Sequence, residues 1–145
     1  MAERRGHHAH HWTAARLTDD NKAFLAELPI TLRRENLLFV HGSPNSQHEY
    51  LLPDMNAFAA LERVETAGAE TLFCGHTHQP YVRELSGGSI RVSVQQSDSE
   101  EAREQEMILP MRRIVNAGSV GEPRHGNTKA TYVVHDDTTG EVSIR

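Results

Sequence analysis

The chain has 145 residues, enough for one domain with a core of its own. Its formal charge is −5, and residues 98–106 alone hold five acids against Arg103, so the remainder is near neutral; this speaks against a general nucleic-acid binder. A single cysteine, Cys74, forbids an internal disulfide, no apolar run approaches the roughly 18 residues of a membrane span, and the basic, His-rich start has no signal-like apolar core. The expectation is a soluble cytoplasmic protein that neither crosses nor binds a membrane.

In chain order, His7, His8, His10 and His11 crowd ahead of Trp12. No strand or glycine loop fixes them, so a solvated, partly helical lead-in is expected rather than a metal site. Thr18 reads as a helix N-cap, with Asp19 and Asp20 in the first turn near the positive end of the dipole. Ala23, Phe24, Leu25 and Leu28 supply an apolar side, and Pro29 ends the helix. Arg33, Arg34 and Glu35 mark a turn before a buried strand over 37–41, which runs into Gly42-Ser43-Pro44. The next helix is expected to open at Pro53-Asp54 with Asp54 as its cap and to stop at Gly68, with Met55, Phe58, Leu61 and Val64 as a core stripe. A strand at 71–74 completes a strand–helix–strand unit, which favours parallel central strands.

That strand delivers Gly75-His76-Thr77-His78. Side chains two apart in an extended segment leave on the same side, so His76 and His78 are predicted to address one point or two neighbouring points. Strand 37–41 delivers His41 in the same way, and two apolar strands each ending in Gly and His suggest a metal site at a strand edge. Further on, Ser86-Gly87-Gly88-Ser89 predicts a hairpin between 81–85 and 90–94. Residues 95–105 are acidic and aperiodic and read as a flexible, solvated insertion. A short strand at Ile114-Val115 leads into the Gly-rich loop 116–124. That loop is either an anion-binding turn, with Arg124 as a guanidinium fork, or a tight structural turn. Segments 130–135 and 141–145 close the chain as a hairpin, and no linker divides 1–145 into two domains.

Three ordered motifs, Val40-His41-Gly42-Ser43-Pro44, Cys74-Gly75-His76-Thr77-His78-Gln79-Pro80 and Val115-Asn116-Ala117-Gly118-Ser119-Val120-Gly121-Glu122-Pro123-Arg124, resemble the C-terminal half of the calcineurin-like metallophosphoesterases. The likeness is to their small bacterial and archaeal phosphodiesterase-type branch. It implies an α/β (α+β) fold, a four-layer αββα sandwich truncated at its N-terminus. It also implies two divalent ions (Mn, Fe, Zn or Ni), with His41 and His76 on one and His78 on the other. Arg124 and Asn116 become candidates for the substrate phosphate, and Cys74 is not a ligand in the family pattern. The implied reaction is hydrolysis of phosphate mono- or diesters by a two-metal-activated hydroxide.

The family's Asp-x-His strand, its bridging Gly-Asp and its Gly-Asn-His-Asp loop have no counterpart in these residues. Three readings follow. The first is an enzyme whose N-terminal half, or a partner chain, completes the site. The second is an inactive remnant that binds at most one metal. The third is an interaction module that uses the acidic insertion and an exposed sheet edge.

Overall fold

In the computed structural model, which describes residues 10–85, 89–94, 103–108 and 110–145, the chain falls into two compact units, Met1–Ile30 and Thr31–Arg145. Within the first, residues 10–14 are helical, and the Arg16 guanidinium lies 3.7 Å over the Trp12 ring. Helix α1 (Asp19–Glu27) starts where expected: the Thr18 hydroxyl accepts from Asn21 N at 3.3 Å, satisfying an amide that the helix leaves without a partner. Leu28, just before Pro29, is already extended. The apolar side expected of this helix is not buried, for Phe24, Leu25 and Leu28 are all exposed.

The second unit is built on a five-stranded sheet. Strand β1 (Thr31–Arg34) pairs antiparallel with β2 (Leu37–Val40), so the turn falls on Glu35-Asn36 and Arg33 and Arg34 are strand residues rather than part of it. Helix α2 (Ala57–Thr66) carries the chain from β2 to β3 (Thr71–Cys74), and these two strands are parallel neighbours as predicted. Strand β4 (Tyr81–Leu85) takes the far edge; β5 (Ser89–Val94) and β6 (Arg103–Ile108) form a hairpin of their own; β7 (Arg112–Asn116) lies parallel to β3 and antiparallel to β4. Strands β8 (Val133–His135) and β9 (Val142–Ile144) form the expected closing hairpin. The sheet order is β1-β2-β3-β7-β4.

The hairpin read from Ser86-Gly87-Gly88-Ser89 does not join its flanking strands as a pair: β4 goes to β7 and β5 to β6. A turn-prone tetrapeptide allows the chain to reverse, but the partner of each strand is decided by longer-range pairing. In the acidic stretch, residues 103–105 belong to β6, while 95–102 lie outside the described residues.

Side-chain alternation explains why the central strands are so apolar. One sheet face sends Leu38, Leu72, Cys74 and Ile114 toward Ala60 and Val64 of α2 and toward Leu51. The other sends Leu37, Phe73 and Val115 toward Val133 and Val142 of the β8–β9 hairpin, with Phe39 stacked on Phe73 at 4.6 Å. A strand covered on both faces needs an unbroken hydrophobic run, and that is what β2 and β3 have. The fold is therefore mixed α/β, with helix, sheet and hairpin in that order. Among the described residues no helix is long and apolar enough to cross a membrane.

Helix α2 departs from its sequence reading in two ways. Asn56, not Asp54, caps it, through Oδ1 to Phe58 N and Ala59 N at 2.9 and 3.3 Å. Phe58 is 84% exposed, whereas Ala60 and Val64 are buried. Residues three apart rotate about 60° off a 3.6-residue period at each step, so a four-member i+3 stripe cannot all face one way. Ala60 and Val64, four apart, do, and Met55 and Leu61 pack partly buried against the same core. Phe58→Ala should change unfolding free energy by no more than about 0.5 kcal/mol, whereas Val64→Ala should cost roughly 1–3 kcal/mol. Urea titration of the two variants distinguishes these outcomes. Gly68 stops the helix as expected, at φ 59°.

Candidate metal centre

The parallel strands β2, β3 and β7 end side by side, and the chemistry-bearing residues follow their C-terminal ends. His41 directly follows β2, and its carbonyl accepts from Gly75 N at 2.9 Å, tying the β3 exit to the β2 exit. This brings His41 Nε2 to 3.0 Å from His76 Nδ1. That is hydrogen-bond distance between the two rings, and it lies near the roughly 3.3–3.4 Å that separates two nitrogens held tetrahedrally about 2.0–2.1 Å from one ion. The two rings are bonded to each other here, and a small separation would bring them to the spacing of two ligands on one ion.

Burial, then the neighbouring His76, His78 and His48, lowers the pKa of His41 below its usual value. That favours the neutral imidazole, the form a metal requires.

His76 and His78 do not lie in an extended segment. Both have left-handed backbones, at φ 62° and 59°. Between them Thr77 is buried, its N donating to Gly75 O at 2.7 Å and its hydroxyl accepting from Gln79 N at 3.1 Å. A left-handed residue on either side of an anchored threonine sends the two imidazoles to different neighbours, so the extended segment expected to carry them is not what is found. His76 turns to His41. His78 places Nδ1 2.7 Å from Glu122 O, with the Glu122 carboxylate 3.5 Å away. A ring Nδ1–H donating to a carbonyl leaves Nε2 as the lone-pair donor, the tautomer that outer hydrogen bonds commonly impose on metal ligands. Among the described residues no three His, Cys, Asp or Glu side chains form a group able to hold an ion. The arrangement is thus a pair plus a separately oriented histidine.

The loop 116–124 does lie beside this site, since Arg124 N donates to His78 O at 3.0 Å. Its own amides, however, are nearly all satisfied internally. Gly118 N donates to Asn116 Oδ1, Ser119 N to Thr131 Oγ1, Gly121 N and Glu122 N to Ser119 Oγ, and Ala117 N to Cys74 O. An anion cradle needs free N–H groups, so the structural-turn reading describes this loop better. Asn116 is fully buried, and its amide donates to Gly75 O at 2.7 Å. It braces the His76 turn, which differs from the phosphate contact expected of it. Arg124 is partly exposed and lies 3.4 Å from the Glu122 carboxylate. Cys74 is buried, and burial pushes its thiol up to about 12, the state of an inert core sulfur as expected.

Two rings that sequence reasoning did not single out adjoin His76. Tyr50 stacks on it with centroids 4.2 Å apart and planes at 17°, and His48 lies 6.4 Å away. Their only sequence signal is membership of the loop that follows His41-Gly42-Ser43-Pro44. A polar cleft of about 330 Å³ lies elsewhere, at the opposite ends of the parallel strands, beside Arg34, Glu70, Arg113, His135 and Asp137. There Asp137 already pairs with Arg34 at 2.8 Å and with His135 at 3.1 Å, and the histidines above take no part in it.

The mixed α/β fold built on this sheet is shared with solved structures. The structure is similar to a metallophosphoesterase from Sphaerobacter thermophilus (TM-score 0.60, 24% identity, 93% of this chain and 54% of that one). It is also similar to a hypothetical protein from Pyrococcus horikoshii (TM-score 0.58, 20% identity, 87% and 43%). The chain belongs to the calcineurin-like phosphoesterase superfamily, whose domain model matches residues 5–140. It is 28% identical to an uncharacterised protein of Methanocaldococcus jannaschii over 141 residues, which are 92% of this chain and 51% of the relative. Over 52 residues, 36% of this chain and 22% of the relative, it is 35% identical to a UDP-2,3-diacylglucosamine hydrolase of Shewanella piezotolerans. The chain thus spans about half the length, or less, of the proteins it matches.

Proposed function

We propose that this chain contributes the histidine side of a divalent-metal site in a phosphate-ester hydrolase, with His41 and His76 as ligands of one ion and His78 of a second. The observation that carries the proposal is the 3.0 Å approach of His41 Nε2 to His76 Nδ1, a ring–ring hydrogen bond close to the spacing of two ligands on one ion. Bound divalent cations supply Lewis-acid polarisation of a phosphoryl oxygen and lower the pKa of water. The chain's own residues orient the donors: Glu122 O holds the His78 ring by Nδ1, and Asn116 holds the turn that carries His76. Arg124, partly exposed beside His78, is the side chain offered to a substrate phosphate once it leaves Glu122. The substrate class is phosphate mono- or diesters.

Two dications a few ångströms apart repel strongly, and neutral imidazoles do nothing to offset this. A bridging carboxylate does. No three-donor group stands among the described residues, so a two-ion site needs donors beyond them. The same observation favours a second reading for the chain by itself: one ion bound and no turnover.

Hydrolysis of bis-p-nitrophenyl phosphate with added Mn²⁺, Ni²⁺ or Zn²⁺, by the chain and by its His76→Ala variant, tests both points. No turnover by either is expected from the chain alone. Metal-dependent turnover that disappears in the variant would contradict the need for outside donors while upholding the ligands. Turnover retained in the variant would contradict the ligand assignment.

A further inference from the structure

The Tyr50 ring covers the His76 imidazole nearly in parallel, and the backbone on both sides of Tyr50 is anchored. On one side, Ser43 Oγ accepts from Asn45 N and Ser46 N, each at 3.1 Å, and donates to the Glu49 carboxylate. Glu49 in turn takes Arg63 of α2 through Nε at 3.0 and 3.2 Å and Nη2 at 2.9 Å. On the other side Leu51 is buried in the core, and its carbonyl accepts from Tyr81 Oη at 2.6 Å. Tyr50 thus projects from a short segment pinned to α2 at residue 49 and to β4 at residue 51, although Tyr50 itself is 45% exposed.

His76 needs such a neighbour. Its left-handed φ of 62° is uncommon for a residue with a side chain, and its ring meets His41 and, farther off, His48 edge-on. A free imidazole on that turn would rotate, and Nδ1 would face His41 Nε2 for only part of the time. A flat ring held 4.2 Å away removes most of that freedom. A metal ligand oriented before the ion arrives loses less conformational freedom on binding.

We propose that Tyr50 is a positioning residue that fixes the His76 imidazole in its ligand orientation through ring stacking, with no role for its hydroxyl. The proposal rests on the reading of His41 and His76 as a metal pair. It makes residues 43–51 an outer support of that pair, built on side chains that touch no metal.

The test uses the full chain in two measurements. In metal-free protein, the His76 ring protons should show an upfield ring-current shift in NMR spectra that persists in Tyr50→Phe and vanishes in Tyr50→Leu. In calorimetric titration with Zn²⁺, with His76→Ala as the blank for binding at other histidines, Tyr50→Leu should bind roughly 10-fold more weakly, as loss of an outer support does. Tyr50→Phe should stay within about twofold of the parent, and all melting temperatures should agree closely because Tyr50 is so exposed. Equal Zn²⁺ affinity in parent and Tyr50→Leu would overturn the positioning role while leaving the metal pair intact. Weakening in Tyr50→Phe equal to that in Tyr50→Leu would assign the effect to the hydroxyl and also overturn it. A parent that binds no more Zn²⁺ than His76→Ala would remove the metal pair itself, and the positioning role with it.

Discussion

Replacing His41 by alanine is expected to lower Zn²⁺ or Mn²⁺ affinity by more than about 100-fold, beyond the roughly 10–100-fold that loss of an outer support costs. His41 Nε2 and His76 Nδ1 face each other at 3.0 Å, so removing one leaves a single imidazole with no second donor in place. The His41 ring is exposed enough that its loss should not unfold the protein, while its carbonyl, which takes Gly75 N, remains in the variant. Calorimetric titration at neutral pH reads the effect directly. Affinity within a factor of three of the parent would show that the pair is not the binding site.

The second large effect is on stability. Gly118 has φ 78°, and a β-carbon built on it would stand 2.1 Å from Thr131 Oγ1 and 3.1 Å from Pro80 Cβ. That hydroxyl accepts from Ser119 N and donates to Ala117 O, so it is locked rather than free to swing away. Gly118→Ala should therefore cost roughly 2–5 kcal/mol, about 1–2 from the left-handed backbone and the rest from displaced packing. Gly126 is the matched control. Its φ is 82° but nothing lies within 4 Å of a β-carbon there, so Gly126→Ala should show the backbone part alone. Equal losses at the two positions in urea unfolding would refute the crowding at Gly118.

The parts of this fold legible from sequence were those decided locally or by plain hydrophobicity. Thr18 as a cap, Gly68 as a stop, the apolar runs of β2 and β3 and their parallel pairing, and the closing hairpin all follow from short-range signals. What escaped depends on distant partners. β4 carries a hairpin signal toward β5 but pairs with β7, because pairing is settled across the sheet. Of the expected stripe, Val64 is buried and Met55 and Leu61 pack against the core, but Phe58 turns outward and Ala60 takes the inward place.

At the site, the histidines stood out because they follow buried strands beside glycine, and the meeting of His41 and His76 follows from β2 and β3 being neighbours. The left-handed backbones of His76 and His78 carry no such signal, and they divide the two rings between His41 and Glu122. Asn116 became a phosphate candidate only through the family resemblance. Only the structure shows its amide bonded to Gly75 and Gly118. Tyr50 and His48 were invisible because residues 42–51 form an irregular loop whose path is set by Ser43, Glu49 and Arg63 together.

The most direct measurement is an anomalous difference map from crystals of the chain grown with Mn²⁺. The proposed site predicts a peak about 2.0–2.2 Å from both His41 Nε2 and His76 Nδ1. Anomalous density confined to other histidines, such as His10 and His11, with none between His41 and His76, would contradict it.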